Sequence, residues 1–362
     1  MKIIHIITCI DRGGAENQVV QMLLEQKKNS LDVFLIYLKG EGFWVDYLKS
    51  KGIRVIGPIF PKGNYLSFKG YAKLKNNLPK NKFIVHLHMP PSLMVGVILK
   101  YLFNCSYKII FTSHNESPFI KLPVIEFFFS KLLLECADYI VSIAESGKRK
   151  IIKRYMINPN KISVINYCFN KSIYLSKKNK DLDELKFYEK EFTYIGTVAR
   201  LVPQKRIDLL IKSFSYISKQ DQNIKLVIIG SGYLKTYLKE TASRYKINKA
   251  RIIWVDYTEN VILHMQKWKL FCLTSAYEGF GLVLLEAIFA KIPILAMDVS
   301  SIKNIIGQCG EIVPFGECKL FSEKIISNLN SSKIKIPETY LDKYSPFENF
   351  ISHKKLYKII LK

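Results

Sequence analysis

Two carboxylates stand eight positions apart in the segment YEGFGLVLLEA, residues 277–287. Glu278 precedes a Gly-Phe-Gly turn, and Glu286 interrupts an apolar run. An ionised carboxylate in an apolar run is unfavourable unless a partner satisfies it. Because LVLLEAIFA has strong helical character, we expect a helix that begins near Phe280 and Gly281, with Glu278 at its positive end. Two acceptors placed in this way suit a ligand with several hydroxyl groups.

Each of these carboxylates also has a structural interpretation. Glu286 can form a salt bridge within the fold. Glu278 can act as a charge at a helix N-terminus, which stabilises a helix by a few tenths of a kcal/mol to about 1 kcal/mol. The spacing alone does not choose between these interpretations and a binding site.

Two cations lie on one segment of the second half, GTVARLVPQKR. Arg200 and Lys205 flank Pro203 directly after an apolar, strand-like run. Arginine can clamp two oxygens at once and lysine acts as a point charge, so the pair suits a diphosphate. A solvated basic loop is the alternative interpretation in so basic a chain. Arg206 competes with Lys205 for the inward position.

A glycine pair, Gly13-Gly14, separates the first apolar run from a helical segment. Glycine lets the backbone approach a ligand closely, with the amides of the following helix pointing outward. A tight turn that needs glycine for its own geometry is the alternative. The segment CIDRGGAE lacks the GxGxxG pattern, so it is not a dinucleotide fingerprint.

Histidines close two further apolar runs. His86 and His88 end one, and His114 follows another. A His-x-His step can hold a metal, but no carboxylate cluster accompanies this one. We interpret it as a packing or acceptor-binding feature, with His88 as the candidate acceptor ligand, and we expect no bound metal and no cofactor.

Short apolar runs alternate with segments of helical spacing along the chain, which predicts parallel sheets built from βαβ units. Polar candidates follow the runs, where an open parallel sheet binds its ligand. The predicted strands are Ile3–Ile10, Val33–Tyr37, Phe83–Leu87, Lys108–Thr112, Tyr139–Ile143, Ser163–Ile165, Phe192–Val198, Lys225–Ile229, Arg251–Val255, Leu270–Thr274 and Pro293–Met297.

The 362 residues are enough for two such domains, and an apolar fraction of 49% excludes broad disorder. A polar segment, residues 171–191, is rich in Lys, Asp and Glu, and we predict a linker there. The predicted division is an N-terminal domain over 1–170, the linker, a C-terminal domain over 192–344, and a final helix over 345–362 that returns to the first domain. Seven cysteines without a CxxC pair favour neither zinc nor a disulfide framework.

The chain has a formal charge of +25. Ten Lys and Arg and no Asp or Glu lie between Lys51 and Asn115. Such a segment attracts polyanions, whether a nucleic acid, a phosphorylated substrate or an anionic bilayer. A biased genome composition is the alternative explanation of the total charge. We find no stretch long enough to span a membrane and no signal peptide, and we expect a cytoplasmic protein.

The motifs GGAE at 13–16, GTVARLVPQKRIDLLIKSF, LVIIGSG and TSAYEGFGLVLLEA, with its two glutamates separated by seven residues, together resemble family 4 of the retaining glycosyltransferases. The resemblance covers nearly the whole chain and is strongest from Gly196 to Val313. It implies the α/β GT-B fold, in which two Rossmann-like domains with parallel sheets face each other across a cleft.

The resemblance implies a donor site for a nucleotide-diphosphate sugar. By this resemblance Arg200 and Lys205 hold the donor diphosphate, and Glu286 binds the ribose hydroxyls. Gly13 and Gly14 close over the phosphates from the other domain.

The resemblance also implies which residues stand at the reaction centre. Glu278 is a catalytic candidate that contacts the transferred sugar, and His114 is a second one, near the donor sugar. The sugar and phosphate are further held by the backbone amides of Gly279, Phe280, Gly281 and Leu282.

The chain departs from the family pattern at several positions. An expected asparagine-glycine step reads INYCFN, and Lys291 replaces a glycine that often precedes the next strand. Ser300, Ser301 and Asn304 stand where two glycines and a glutamate are frequent.

We therefore expect an enzyme that transfers a hexosyl group with retention from a nucleotide sugar, with UDP as the nucleotide. The expected acceptor is a lipid-linked glycan or lipopolysaccharide in bacterial surface polysaccharide synthesis. We expect the protein at the inner face of the cytoplasmic membrane, attached to anionic lipid, and no nucleic-acid partner, since no nucleic-acid-reading motif occurs. The alternatives are a non-catalytic sugar-nucleotide-binding protein and a sugar-nucleotide epimerase of the same fold.

Overall fold

A computed structural model describes residues 1–114, 123–172, 182–299, 302–330 and 336–361. The chain forms two compact units: Met1–Cys168 together with Tyr344–Lys362, and Phe169–Lys343. The predicted linker, residues 171–191, and the predicted departures Ser300 and Ser301 lie partly or wholly outside the described residues.

The described residues form thirteen strands and thirteen α-helices. The strands are β1 (Lys2–Ile7), β2 (Asp32–Tyr37), β3 (Arg54–Ile56), β4 (Ile84–His88), β5 (Lys108–Ser113), β6 (Tyr139–Ser142), β7 (Ile162–Val164), β8 (Thr193–Val198), β9 (Ile224–Ile229), β10 (Ile252–Val255), β11 (Leu270–Leu273), β12 (Ile294–Met297) and β13 (Gly310–Val313). The helices are α1 (Gly14–Lys28), α2 (Val45–Ser50), α3 (Phe68–Asn77), α4 (Pro90–Tyr101), α5 (Pro123–Cys136), α6 (Glu145–Tyr155), α7 (Ile207–Ile217), α8 (Lys235–Arg244), α9 (Val261–Met265), α10 (Leu282–Phe289), α11 (Ile302–Ile306), α12 (Cys318–Asn330) and α13 (Pro346–Leu361).

The first unit has a fully parallel sheet in the order β3-β2-β1-β4-β5-β6-β7. Its strands read as continuous apolar runs because both faces are covered. On one face Leu87 packs with residues of α3, α4, α5 and α6. On the other face Ile84 packs with residues of α1, α2 and α13. The C-terminal helix α13 is therefore part of the first unit.

The second unit has a parallel sheet in the order β10-β9-β8-β11-β12-β13. Its core joins the sheet to α7, α8 and α12, with Phe214, Leu238 and Phe321 among its buried residues. In both sheets the strand order reverses beside the first strand, between β1 and β4 and between β8 and β11. Loops at the carboxyl ends of the strands diverge at such a reversal, and open α/β sheets bind ligands there.

The predicted fold class is confirmed: two Rossmann-like domains, each built on a parallel sheet. Each of the eleven predicted strands overlaps an observed one, while β3 and β13 were not predicted. Among the described residues no helix combines the length and the apolar composition that crossing a bilayer requires.

Candidate active site

An ion pair at the strand reversal of the second unit joins two of the predicted site residues. Lys205 Nζ lies 2.6 Å from Glu278 Oε1, and Ser275 Oγ donates to the same oxygen at 2.6 Å. The two charged side chains are only 16% and 6% exposed. A carboxylate can be buried to this degree because a cation and a hydroxyl satisfy it.

Hydrogen bonds to backbone carbonyls hold the same two loops together. The amide of Ala276 donates to the carbonyl of Gln204 at 2.8 Å, and Gln204 Nε2 donates to the carbonyl of Tyr277 at 2.9 Å. Thr274 Oγ1 donates to the carbonyl of Arg206 at 3.0 Å. The loop after β8 and the loop after β11 are thus one hydrogen-bonded assembly, and Lys205 and Glu278 are fixed relative to each other.

The structure shows that Lys205, and not Arg206, is the cation that faces Glu278. Arg206 adopts a left-handed backbone conformation with φ of 46° and forms a bidentate pair with Asp208, at 3.0 and 2.9 Å. Lys205 therefore faces Glu278, while Arg206 binds its own neighbour. Arg200 lies earlier on the same loop and is exposed to solvent.

Two glycines hold this loop close to the loop after β9. A Cβ atom on Gly230 would stand 2.0 Å from the carbonyl oxygen of Ala199, and one on Gly232 would stand 2.3 Å from that of Leu201. Gly230 also has φ of +135°, which favours glycine. The amide of Leu201 donates to the carbonyl of Ser231 at 2.9 Å. The glycines allow the backbones to pack at this distance, which positions the segment that carries Arg200.

Helix α10 begins one residue later than predicted, at Leu282, and Gly281 caps it with φ of +82°. Phe280 is 2% exposed. Of the four residues whose amides were predicted to bind the donor, Gly281 and Leu282 lie at the helix start, and Gly279 and Phe280 lie in the turn before it. Glu286 lies in the second turn of this helix and is half-buried. Arg200, Lys205, Glu278 and Glu286 therefore lie on two segments at the strand reversal of one sheet.

The glycine pair of the first unit also lies at a strand reversal. Gly13 precedes the first residue of α1 and is exposed, as is Gly14. Asp11 Oδ1 accepts hydrogen bonds from the amides of Gly42 and Phe43 at 2.7 and 3.3 Å. The loop after β1 is thereby tied to the loop after β2, and the Glu16 carboxylate lies against Gly13 at the start of α1.

The two histidine candidates lie in the interior of the first unit. His88 has no exposed surface, and its ring nitrogens bond His5 Nδ1 and His114 Nε2, each at 2.9 Å. The predicted direct contact between His88 and an acceptor is therefore not supported, because the side chain has neither a surface nor a nitrogen to offer.

His114 is 7% exposed, and its Nδ1 lies 2.7 Å from the hydroxyl of Tyr167. Burial lowers the pKa of His114 to about 3, with a smaller contribution from His353, so the ring is neutral at pH 7. The catalytic role of His114 stays a prediction.

Sequence reasoning missed the residues that complete these sites. Ser275 and Gln204 were not candidates, although both neighbour predicted residues in the sequence. His5 and Gln26 were also missed, and a polar residue inside an otherwise apolar first strand was the available signal for His5.

Two family models match adjacent parts of the chain. The model for "Glycosyltransferase Family 4" matches residues 12–170, and the model for "Glycosyl transferases group 1" matches residues 177–343. Together they cover most of both units. The chain belongs to the family 4, or group 1, glycosyltransferases.

Relatives of this glycosyltransferase extend over most of its length. The capsular polysaccharide biosynthesis glycosyltransferase CapM of Staphylococcus aureus is 27% identical over 92% of this chain and 89% of its own. The N-acetylgalactosamine-N,N'-diacetylbacillosaminyl-diphospho-undecaprenol 4-alpha-N-acetylgalactosaminyltransferase of Campylobacter jejuni is 24% identical over 82% of this chain and 73% of its own.

Solved structures share the fold of this glycosyltransferase. The structure of Anabaena Alr3699/HepE in complex with UDP and glucose has a TM-score of 0.82 at 17% identity, and it covers 99% of both chains. A glycosyltransferase from Rickettsia africae ESF-5 has a TM-score of 0.81 at 18% identity, over 100% of this chain and 98% of that one. These neighbours are GT-B glycosyltransferases, which establishes the fold of this chain as GT-B.

Proposed function

We propose that this glycosyltransferase moves a hexosyl group from a UDP-linked sugar to a lipid-linked glycan or lipopolysaccharide acceptor, with retention of configuration, in bacterial surface polysaccharide synthesis. The observation that carries the proposal is the Lys205–Glu278 pair at the strand reversal of the second unit. A cation and a carboxylate held side by side suit a ligand that combines a diphosphate with a polyhydroxylated sugar.

In this proposal the second unit binds the donor without a metal or a cofactor. Arg200 and Lys205 stabilise the negative charge that develops on the leaving diphosphate, and the amides at the start of α10 add to this stabilisation. Glu278 binds the transferred sugar, and Glu286 binds the ribose hydroxyls. The acceptor attacks on the face from which the diphosphate departs, and a phosphate oxygen takes the acceptor proton.

The names of two relatives support the choice of acceptor. The relative from Staphylococcus aureus is named for capsular polysaccharide synthesis, and the one from Campylobacter jejuni for a diphospho-undecaprenol substrate. The complex of Anabaena Alr3699/HepE with UDP and glucose supports the choice of UDP.

The outer side of the helices on one face of the first sheet supports attachment to a membrane. On α5, Val124, Phe128 and Leu132 recur every fourth residue and are 70%, 65% and 60% exposed. Phe68 at the start of α3 and Leu102 just after α4 are 77% and 78% exposed. Exposed large apolar residues on one helix layer are typical of surfaces that enter the interfacial region of a bilayer.

Lysines accompany these apolar residues on the same helices. They are Lys69, Lys73, Lys75, Lys100 and Lys131. Each unpaired Lys near an anionic bilayer contributes about 1 kcal/mol, and the attraction weakens with salt. Lys100 and Lys131 contribute less, because they pair with Asp138 and Glu135. The proposed partner of this surface is therefore the anionic inner face of the cytoplasmic membrane.

Donor screening by thermal unfolding tests the proposal. We expect a UDP-linked sugar to raise the unfolding temperature of the full chain, and Arg200→Ala or Glu286→Ala to abolish this protection. Arg206→Ala is the matched control, because Arg206 is a neighbouring cation that pairs with Asp208 instead. Protection that persists in both site variants would mean that the donor site is assigned wrongly.

Product analysis with the best donor then tests the reaction. We expect transfer of the sugar to a lipid-diphosphate acceptor, with the anomeric configuration of the donor retained. Protection without any product would indicate a non-catalytic binding protein. An altered sugar nucleotide formed without acceptor would indicate an epimerase.

A further inference from the structure

Five of the six histidines of the protein lie together inside the first unit, and the mechanism proposed above assigns a role to none of them. They are His5, His86, His88, His114 and His353, each at most 7% exposed. His5 and His86 are partners in the pairing of β1 with β4, and His88 follows two residues later on the same face. This face is the one covered by α1 and α13. A buried imidazole is unfavourable unless its nitrogens are hydrogen-bonded.

The bonds form one continuous series of eight side chains, which we name the histidine chain. In order it contains Tyr167, His114, His88, His5, Gln26, Tyr357, His86 and Thr112. Successive polar atoms along it are 2.7, 2.9, 2.9, 2.8, 3.0, 2.8 and 2.6 Å apart. Both nitrogens of each of its four imidazole rings are used.

Gln26 sets the direction of the histidine chain. Its Oε1 faces His5 Nε2, and its Nε2 donates to the hydroxyl of Tyr357. A carbonyl oxygen only accepts, so His5 must carry its proton on Nε2. A neutral imidazole has one donor nitrogen and one acceptor nitrogen, so His5 Nδ1 accepts and His88 must donate to it from Nε2. His88 Nδ1 is then an acceptor, and His114 must donate to it from Nε2.

The part of the histidine chain beyond Gln26 follows the same rule. The Tyr357 hydroxyl accepts from Gln26 and donates to His86 Nδ1, which leaves His86 Nε2 to donate to Thr112. All four rings therefore carry the proton on Nε2, and every bond points the same way along the chain. The Tyr167 hydroxyl donates to the remaining acceptor, His114 Nδ1.

The surroundings keep the rings neutral. Burial lowers the pKa of His5 to about 3 and lowers the pKa values of His86 and His88 well below 6.5. The other titratable groups that act on the chain are His353 from α13, whose own pKa burial lowers to about 4, and Glu16 from α1, which acts on Tyr167. His5, His86 and His88 also offer nitrogens within 4.8 Å of one another, a spacing that a metal ion accepts. Because these nitrogens already have hydrogen-bond partners, the geometry favours the hydrogen-bonded histidine chain over a metal site.

We propose that Gln26, His5 and His88 are positioning residues for His114: they hold its ring with the proton on Nε2 and its Nδ1 lone pair directed at the Tyr167 hydroxyl. A ligand that displaces the Tyr167 hydroxyl can hydrogen-bond to this lone pair of His114. His114 is then a hydrogen-bond acceptor for a substrate hydroxyl. Only this last step rests on the proposed function.

Ring nitrogen spectroscopy tests the histidine chain without reference to activity. In the full chain labelled with ¹⁵N-histidine, long-range proton–nitrogen correlations distinguish the two neutral tautomers, and six histidines give a readable spectrum. We expect His5, His86, His88 and His114 to be neutral with the proton on Nε2 at pH 7. A proton on Nδ1 of His114, or a positively charged ring, would overturn the proposal. A change in these four signals on adding Zn²⁺ or removing metal with a chelator would overturn it in favour of a metal site.

Two variants of His88 separate positioning from packing. In His88→Asn the amide oxygen replaces Nδ1 and still accepts from His114. In His88→Gln the amide replaces Nε2, which keeps the bond to His5 and loses the bond to His114. We expect the Nε2 tautomer of His114 to persist in His88→Asn and to mix with the other tautomer in His88→Gln. Equal spectra of His114 in the two variants would mean that His88 only packs.

Activity provides the second readout. We expect His88→Gln to lower kcat about tenfold with little change in KM for the donor, and His88→Asn to stay within about twofold. His353→Asn is the matched control, because His353 packs against His86, with ring centroids 5.6 Å apart, but lies outside the histidine chain and bonds the carbonyl of Asn349. If the wild-type protein shows no transferase activity, the proposed function fails, while the spectra still decide the histidine chain. Equal kcat in the two His88 variants would overturn the positioning role.

Discussion

Lys205 Nζ and Glu278 Oε1 lie 2.6 Å apart, so one ion pair joins the loop after β8 to the loop after β11. Removal of one member of a buried pair leaves the other charge uncompensated, which typically costs several kcal/mol. Because Lys205 retains some exposure, we expect Lys205→Met to lower the free energy of unfolding of the second unit by about 2–4 kcal/mol. Donor protection should be lost as well.

The matched control for this pair is Arg206→Met. The pair of Arg206 with Asp208 is about one-third exposed, so its loss should cost less than about 1 kcal/mol. Urea unfolding followed by tryptophan fluorescence measures both variants, because two of the three tryptophans, Trp254 and Trp268, lie in the second unit. Equal losses of unfolding free energy in the two variants would contradict the role of the Lys205–Glu278 pair in joining the two loops.

Gly230 should be indispensable for the packing of the loop after β8 against the loop after β9. Gly230→Ala places a Cβ atom 2.0 Å from the carbonyl oxygen of Ala199, a backbone atom that cannot move alone. We expect a loss of unfolding free energy of about 2–4 kcal/mol, from the clash and from the strained φ together, and a weaker Kd for the donor. Calorimetric titration and urea unfolding provide the two measurements.

Gly316→Ala is the comparison for this variant. Gly316 has φ of +89° but no atom within 4 Å of a Cβ position, so only the strained backbone conformation contributes, at about 1–2 kcal/mol. Donor affinity should not change. A Gly230→Ala protein that binds the donor with wild-type Kd would show that the loop tolerates displacement.

The sequence correctly predicts that Lys205 and Glu278 lie close together, because the relevant signals are local. Lys205 and Glu278 each follow an apolar strand, and parallel strands bring their carboxyl ends to one edge of the sheet. The sequence does not show that Lys205, rather than Arg206, pairs with Glu278. That outcome depends on the left-handed conformation at Arg206 and on its pairing with Asp208. Asp208, two residues away, was the available signal for this pairing.

The sequence does not predict the burial of His88 because that depends on contacts between distant residues. The His-x-His spacing places both rings on one face of β4, but it does not show what covers that face. The cover includes α13, whose Tyr357 bonds Gln26 across 331 positions of sequence. The departure INYCFN is also part of this arrangement, because its Tyr167 bonds His114 Nδ1.

The strands β3 and β13 were missed for a different reason. They have three and four residues, and Arg54 and Glu311 interrupt their apolar character. Pairing with β2 and β12 stabilises them, and periodicity in a short window does not contain that information.

Glu126 should make the stability of the first unit depend on pH. Its carboxylate has no exposed surface and accepts hydrogen bonds from Tyr155 Oη at 2.5 Å, Arg154 Nη2 at 2.5 Å and Ser130 Oγ at 2.9 Å. Burial raises its pKa, but these hydrogen bonds outweigh burial, and the net pKa lies below the ordinary value of 4.5. A lowered pKa contributes stability above pH 4.5, and this stability is lost as pH falls through the folded-state pKa.

We expect Glu126→Gln to cost about 1–3 kcal/mol at pH 7 and to remove the part of the acid dependence that begins below pH 4.5. Glu135→Gln is the control on the same helix, because Glu135 is 53% exposed and lies 3.8 Å from Lys131. Urea unfolding at a series of pH values measures both. Parallel pH profiles for the wild type and Glu126→Gln would contradict the assigned role.

The exposed stripe on α5 should determine attachment to anionic lipid. We expect the variant with both Phe128→Ser and Leu132→Ser to bind vesicles of anionic phospholipid at least about tenfold more weakly, because each removes a large side chain that can enter the bilayer interface. Surface plasmon resonance on anionic and neutral vesicles, at low and high salt, measures the effect. Tyr233→Ser is the control, since Tyr233 is 76% exposed but lies in the second unit. Because the lysines on α3, α4 and α5 add a charge contribution, wild-type binding should also weaken with salt. Equal weak binding to both kinds of vesicle would remove the membrane from the proposed function and leave the donor site unaffected.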